Sequence, residues 1–180
     1  MKNALVLFAA GSEELEAVTI VNILRRGGVA VSLAGLSAGV LRGSRGISLQ
    51  PDTTLEASLD QEFDMIVLPG GQPGTNHLKA DPRVAQLLKK MSAQNKFITA
   101  ICAAPSVLAA AGLLDGKCAT SFPTCLDEYP KVAQRSTAVV EDGKLITSRG
   151  PGTAMDFALT LLERLAGAAK RQEVEAGLVR

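Results

Sequence analysis

Tryptophan is absent, tyrosine and histidine each occur once, and aromatic residues make up only 3% of the chain. A core without large rings has to be assembled from Ala, Val, Leu and Ile, and hydrophobic residues amount to 47%. A single histidine cannot build a multi-histidine metal centre, and it leaves only His77 to act as base in a Cys–His hydrolase. The three cysteines, Cys102, Cys118 and Cys125, are an odd number without C-x-x-C spacing. Neither a disulfide framework nor a zinc site is therefore expected. Nineteen basic residues stand against eighteen acidic ones, and no long basic run marks a nucleic-acid groove. No apolar run reaches the ~18 residues needed to span a bilayer. The ALVLFAA segment near the start reads as a strand, too short for the apolar part of a signal peptide plus a cleavage site. The cytosol is the expected compartment.

At 180 residues the chain is long enough for one domain with a full core. Short β-branched runs predict strands over residues 4–9, 30–34, 65–68 and 97–101. Longer periodic stretches predict helices over 12–26, 82–93, 104–111 and 152–165. Continuous apolar strands alternating with helices imply a mainly parallel sheet covered on both faces. Two pieces have hairpin character: 40–42 with 47–50, and 137–140 with 144–147. Residues 170–180 read as a short docking helix. The expected architecture is one doubly wound α/β domain over residues 3–180.

In such sheets ligands sit outside the carboxyl ends of the strands. That rule selects four turns, at residues 10–14, 69–71, 102–104 and 148–152. Cys102 ends a strand and precedes a helix, so its side chain stands at a tight strand-to-helix turn resembling a nucleophile elbow. Free backbone N–H groups and a helix dipole would there favour thiolate, although a buried structural cysteine fits the same pattern. Ser12 is the expected N-cap of the first helix, with Glu13 and Glu14 in its first turn. Glu16 shares a helix face with Ile20 and Ile23. Held against apolar surface, its carboxyl would stay protonated and could donate to a thiolate; at the rim it would simply reach water. Gly71 and Ala103 could offer two N–H groups to an oxyanion. His77 is expected in an exposed loop, and Cys118 and Cys125 as bystander thiols.

Six segments, in order and correctly spaced, are similar to the DJ-1/PfpI superfamily, and within it to the DJ-1/ThiJ/YajL branch. They are Gly11-Ser12-Glu13-Glu14-Leu15-Glu16, Arg25-Arg26-Gly27-Gly28, Ser44-Arg45-Gly46, Val67-Leu68-Pro69-Gly70-Gly71, Ala100-Ile101-Cys102-Ala103-Ala104-Pro105 and Thr147-Ser148-Arg149-Gly150-Pro151-Gly152-Thr153. The resemblance implies a flavodoxin-like α/β sandwich that works as a homodimer. It puts the nucleophile on Cys102, the acid on Glu16 and the oxyanion amides on Gly71 and Ala103. Arg26 and Arg45 match arginines near the cysteine at the dimer interface. The implied activity is glutathione-independent conversion of methylglyoxal-type aldehydes, or deglycation of their early adducts, with no metal or organic cofactor. A redox-sensing or chaperone-like role is the alternative. Several members carry a histidine beside the cysteine where this chain has Phe122, in the Phe-Pro-Thr pattern of the YajL-type branch. Peptide hydrolysis is not expected without that histidine.

Overall fold

A computed structural model describes residues 1–179. The first half runs β1 (Asn3–Phe8), α1 (Glu14–Arg26), β2 (Ala30–Gly35), β3 (Leu41–Arg42), β4 (Ser48–Leu49), β5 (Thr53–Thr54), α2 (Leu55–Ser58) and β6 (Met65–Leu68). Then follow α3 (Gly74–Ala80), α4 (Pro82–Ala93), β7 (Phe97–Ile101), α5 (Pro105–Ala110), β8 (Cys118–Ala119) and β9 (Ala133–Gln134). The chain closes with β10 (Val139–Asp142), β11 (Leu145–Ser148), a 3₁₀ turn at Pro151–Thr153, α6 (Ala154–Ala166) and α7 (Ala168–Ala176).

The central sheet has the order β10-β11-β7-β6-β1-β2-β5, and every neighbouring pair is parallel except β10 with β11. Its five main strands follow the flavodoxin-like order, in which the chain reverses direction between β1 and β6. The protein is thus an α/β sandwich with a mostly parallel sheet and helices around it. Alternation along β1 feeds two cores. Ala4, Val6 and Phe8 face α1 and α6, where Ile20, Leu24, Phe157 and Leu161 are buried. Leu5 and Leu7 face the opposite layer with Leu78, Leu88 and Leu108 of α3, α4 and α5. Both faces of β1, β6 and β7 are dry beyond their first residues, which explains their largely apolar sequence.

Several local details differ from the sequence-based expectation. α1 starts at Glu14, and Ser12 is not its N-cap: the Ser12 hydroxyl accepts the Ala9 N–H at 3.1 Å, while Glu13 caps by accepting from Leu15 N–H at 3.4 Å. His77 lies on α3, exposed, and not in a loop. A seven-residue helix opening on glycine is too short to show a period. The second hairpin contributes β11 to the central sheet, because that strand pairs in parallel with β7 over Leu145–Ser148. The first hairpin forms as the small antiparallel pair β3–β4. The expected docking helix is α7, anchored through buried Val174; Arg180 lies outside the described residues. Among the described residues no helix is long and apolar enough to cross a membrane.

Candidate active site

The turns that leave β1, β6 and β7 interlock at the carboxyl rim of the sheet. Glu13 N–H donates to the Gly70 carbonyl at 2.8 Å, and Ser44 N–H donates to the Ser12 carbonyl at 2.8 Å. Gly70 is so close to the third turn that a Cβ there would lie 2.6 Å from Cys102 Cβ. Gly71 has φ +84°, and a Cβ on it would lie 2.4 Å from Glu13 N. Gly71→Ala is therefore expected to cost about 1–3 kcal/mol of stability, because both the conformation and the space exclude a side chain. Urea unfolding checks this; an unchanged midpoint would contradict the packing.

Cys102 sits directly after β7 with φ +64°, a left-handed conformation that costs a non-glycine residue of order 1 kcal/mol. The turn is pinned on both sides. Cys102 N–H donates to the Ser148 carbonyl of β11 at 3.0 Å, and its carbonyl accepts Phe122 N–H at 2.8 Å. The strained turn lifts the side chain towards the backbone N–H groups of Gly71 and Ala103, both of which favour the thiolate. Neither amide donates to a backbone carbonyl among the described residues.

Glu16 comes from the first turn of α1 and is completely buried. One carboxyl oxygen accepts Gly70 N–H at 2.8 Å. The other, Oε1, is sealed from solvent without a conventional hydrogen-bond partner, and the carboxyl's other neighbour is the Cys102 thiol. Burial pushes Glu16 up to about 7, against the pull of Gly70 N–H and the thiol. Burial also pushes Cys102 up to about 12, followed by the charge of an ionised Glu16, while the Gly71 and Ala103 amides pull it down. The two amides pull towards thiolate as the turn suggested, but desolvation pulls harder the other way. The two groups compete for one proton, and thiolate is favoured when Glu16 holds it.

A cavity of about 300 Å³ opens onto Cys102. It is lined by the turns that hold Gly71 and Ala103, by Glu13 and Arg45, and by Phe122, Cys125 and Pro151. All four predicted turns thus contribute to one space. The family comparison bears directly on this constellation. The DJ-1/PfpI family pattern matches residues 2–164. The chain belongs to the DJ-1/PfpI family. It is 44% identical to protein dj-1beta of Drosophila melanogaster, over 99% of this chain and 97% of that protein. The crystal structure of Drosophila DJ-1beta superposes with a TM-score of 0.96, again over 99% and 97% of the two chains. A glutathione-independent glyoxalase of Caenorhabditis elegans, DJR-1.2, is 36% identical over 94% of this chain and 91% of its own. The structure of oxidized Toxoplasma gondii DJ-1 is 36% identical with a TM-score of 0.96, covering 99% of this chain and 98% of that one.

Within this DJ-1/PfpI chain the predicted residues are not all gathered together. Cys102, Glu16, Gly71 and Ala103 converge, and Arg45 joins the cavity, where it is largely exposed and 3.7 Å from Glu13. Arg26 sits at the far end of α1, bonded to Asn22 beside Val18, Val21 and Leu33. His77 is turned to the Ala10 carbonyl at 2.9 Å and so tethers the first turn. Phe122 is half-exposed and lines the cavity. Sequence reasoning missed the cavity positions of Ser44, Gln72 and Cys125, and placed Glu13 in a rim turn without giving its side chain a part there. Glu13 was signalled by the same motif as Glu16; nothing local marked Cys125. Among the described residues no cluster of three or more His, Cys, Asp or Glu side chains could hold a metal ion.

Proposed function

We propose that this protein converts α-oxoaldehydes such as methylglyoxal into 2-hydroxy acids without glutathione, and that early adducts of these aldehydes are related substrates. The observation that carries this reading is the convergence of two backbone amides and one buried carboxyl on the Cys102 thiol. In the proposed cycle the thiolate attacks the aldehyde carbon, and the resulting oxyanion is held by Gly71 and Ala103 N–H. Glu16, having given its proton to that oxyanion to complete the hemithioacetal, then takes the proton from the same carbon and returns it to the neighbouring one, while the O–H proton passes to the neighbouring oxygen, so the hemithioacetal becomes a thioester. Water then cleaves the thioester to release lactate and the thiol. Its raised pKa near 7 suits Glu16 to both halves of the transfer. The C. elegans relative carries the name of a glutathione-independent glyoxalase, which supports the substrate class.

The working form we propose is a cytoplasmic homodimer in which residues 3–180 act as one domain. Half-exposed Val18 lines the groove beside Arg26, Leu15 on the same helix is also half-exposed, and together they supply an apolar face for a second copy. Two such copies would bring Arg26 and Arg45 to the shared surface near the sites. Three free cysteines suit a reducing compartment.

The test is lactate formation from methylglyoxal without glutathione, with D- and L-lactate measured separately. Many turnovers per subunit are expected. Consumption of at most one equivalent with no lactate would sink the enzymatic reading. It would leave a redox-sensing thiol, the reading supported by the oxidized state in which the Toxoplasma relative was solved.

A further inference from the structure

Two of the three thiols open onto the same cavity. Cys102 and Cys125 both line it, whereas Cys118 lies on β8 against the guanidinium of Arg135 at 3.3 Å. The backbone links the cavity pair through one residue. Phe122 N–H donates to the Cys102 carbonyl at 2.8 Å, and the Phe122 carbonyl accepts Cys125 N–H at 3.1 Å. Between them, Thr124 has φ +71°. A β-branched residue is rarely held there, so this tight turn is what brings Cys125 back to the cavity. Among the described residues, no strand or helix contains residues 122–125.

We infer that Cys125 is the resolving thiol for Cys102, so that oxidation by a peroxide ends in an intramolecular Cys102–Cys125 disulfide in place of a sulfinate. The inference shares with the proposed function only the premise that Cys102 is a reactive thiol. In the first step the Cys102 thiolate attacks a peroxide oxygen; the O–O bond breaks, a sulfenic acid forms and hydroxide leaves as water. In the second, Cys125 sulfur attacks the Cys102 sulfur; the S–O bond breaks, and the departing hydroxide takes the Cys125 proton as a second water. Two thiols supply two electrons and the peroxide is reduced to water. A cellular thiol of the glutathione class restores both cysteines by exchange.

The order of events follows from the surroundings. Cys102 has the Gly71 and Ala103 amides around it, which favour a thiolate and then a sulfenate, and a Glu16 carboxyl that joins them only when it is protonated. Cys125 has no such cradle: burial raises its thiol, Lys79 opposes that shift, and Asp127 adds to it. It is suited to react second, against sulfur already oxidised. A disulfide needs Cα atoms roughly 4.4–6.8 Å apart, and the hydrogen bonds through Phe122 already hold the 122–125 turn against the Cys102 turn.

The experiment treats the reduced full-length protein with one equivalent of hydrogen peroxide and then counts thiols and maps peptides without reduction. The expected result is loss of two of the three thiols, a Cys102–Cys125 cross-linked peptide, and recovery of both thiols with dithiothreitol. In Cys125→Ser and Cys125→Ala the same treatment should remove one thiol. Further peroxide should then drive Cys102 to sulfinate at least about tenfold faster than in the parent. Two independent variants guard against a folding defect in either. Sulfinate at Cys102 with Cys125 still free in the parent, or equal over-oxidation rates in parent and variants, would overturn the inference. The readout is thiol chemistry alone. A protein that makes no lactate can still form the cross-link, and absence of the cross-link leaves lactate formation untouched.

Discussion

Replacing Cys102 with alanine is expected to reduce lactate formation from methylglyoxal by at least about 10³-fold, to the level of buffer. The proposed cycle has no second nucleophile. Water in the cavity would have to add to the aldehyde without forming the thioester that carries the two-carbon proton transfer. Gly71 and Ala103 amides remain and will still bind a carbonyl oxygen, so substrate affinity should fall far less than turnover. Alanine also keeps the left-handed backbone at φ +64°, because it too has a Cβ and the hydrogen bonds to Ser148 and Phe122 are made by the main chain. The fold should therefore survive. Lactate assays alongside circular dichroism test the claim, with Cys118→Ala as a control on β8, expected within about twofold of the parent. Turnover retained in Cys102→Ala would remove the nucleophile from the mechanism altogether.

Glu16→Gln should separate chemistry from stability, because it moves them in opposite directions. Glutamine keeps an oxygen for Gly70 N–H but cannot carry a proton between two carbons. Turnover should fall about 10²–10⁴-fold. Removing the carboxylate also removes the charge that raises the thiol, so alkylation of Cys102 by iodoacetamide at pH 8 should be at least as fast as in the parent. A slower alkylation would mean that the carboxyl acts chiefly by donating to the thiolate.

The stability effect has a definite sign. The folded pKa of Glu16 is raised from 4.5 to about 7, so the native state holds the proton more tightly than the unfolded chain. That contribution is complete below pH 4.5 and is lost as pH rises through about 7, an amount of about 3 kcal/mol. Glutamine has no proton to lose. The variant should match the parent near pH 4.5 and exceed it by about 3 kcal/mol above pH 8, as read by urea unfolding across that range. A difference independent of pH would show that Glu16 is not a buried titrating carboxyl.

β1, β6 and β7 were legible because they are buried on both faces beyond their first residues. Residues 65–68 and 97–101 form strands with the predicted limits, β2 runs one residue past its predicted end, and β1 is shifted by one residue at both ends. Most of the shorter pieces were not. α3 and the pair β8–β9 owe their existence to neighbours, with two residues per strand in the pair and seven in the helix, whereas the hairpin β3–β4 was marked by its glycine turn. Local periodicity cannot announce an element of that length. At the site, Cys102 was legible from the passage of an apolar strand into small residues and proline. Glu16 was legible from an acid standing on an apolar helix face.

Sequence by itself determined the layer architecture, the four turns at one rim and the residue types that meet there. Those follow from local signals: burial on both strand faces, glycine where backbone must bend or approach closely, and a helix face shared by Glu16, Ile20 and Ile23. Tertiary structure alone decided the protonation balance between Glu16 and Cys102, because desolvation depends on everything packed around a group and not on its neighbours in the chain. It also separated Arg26 from Arg45, which lie on different elements, and turned Cys125 into the cavity through a bend at Thr124. Distances across the fold and exclusion of water are properties of the packed molecule, and the chemistry of this thiol is set by them.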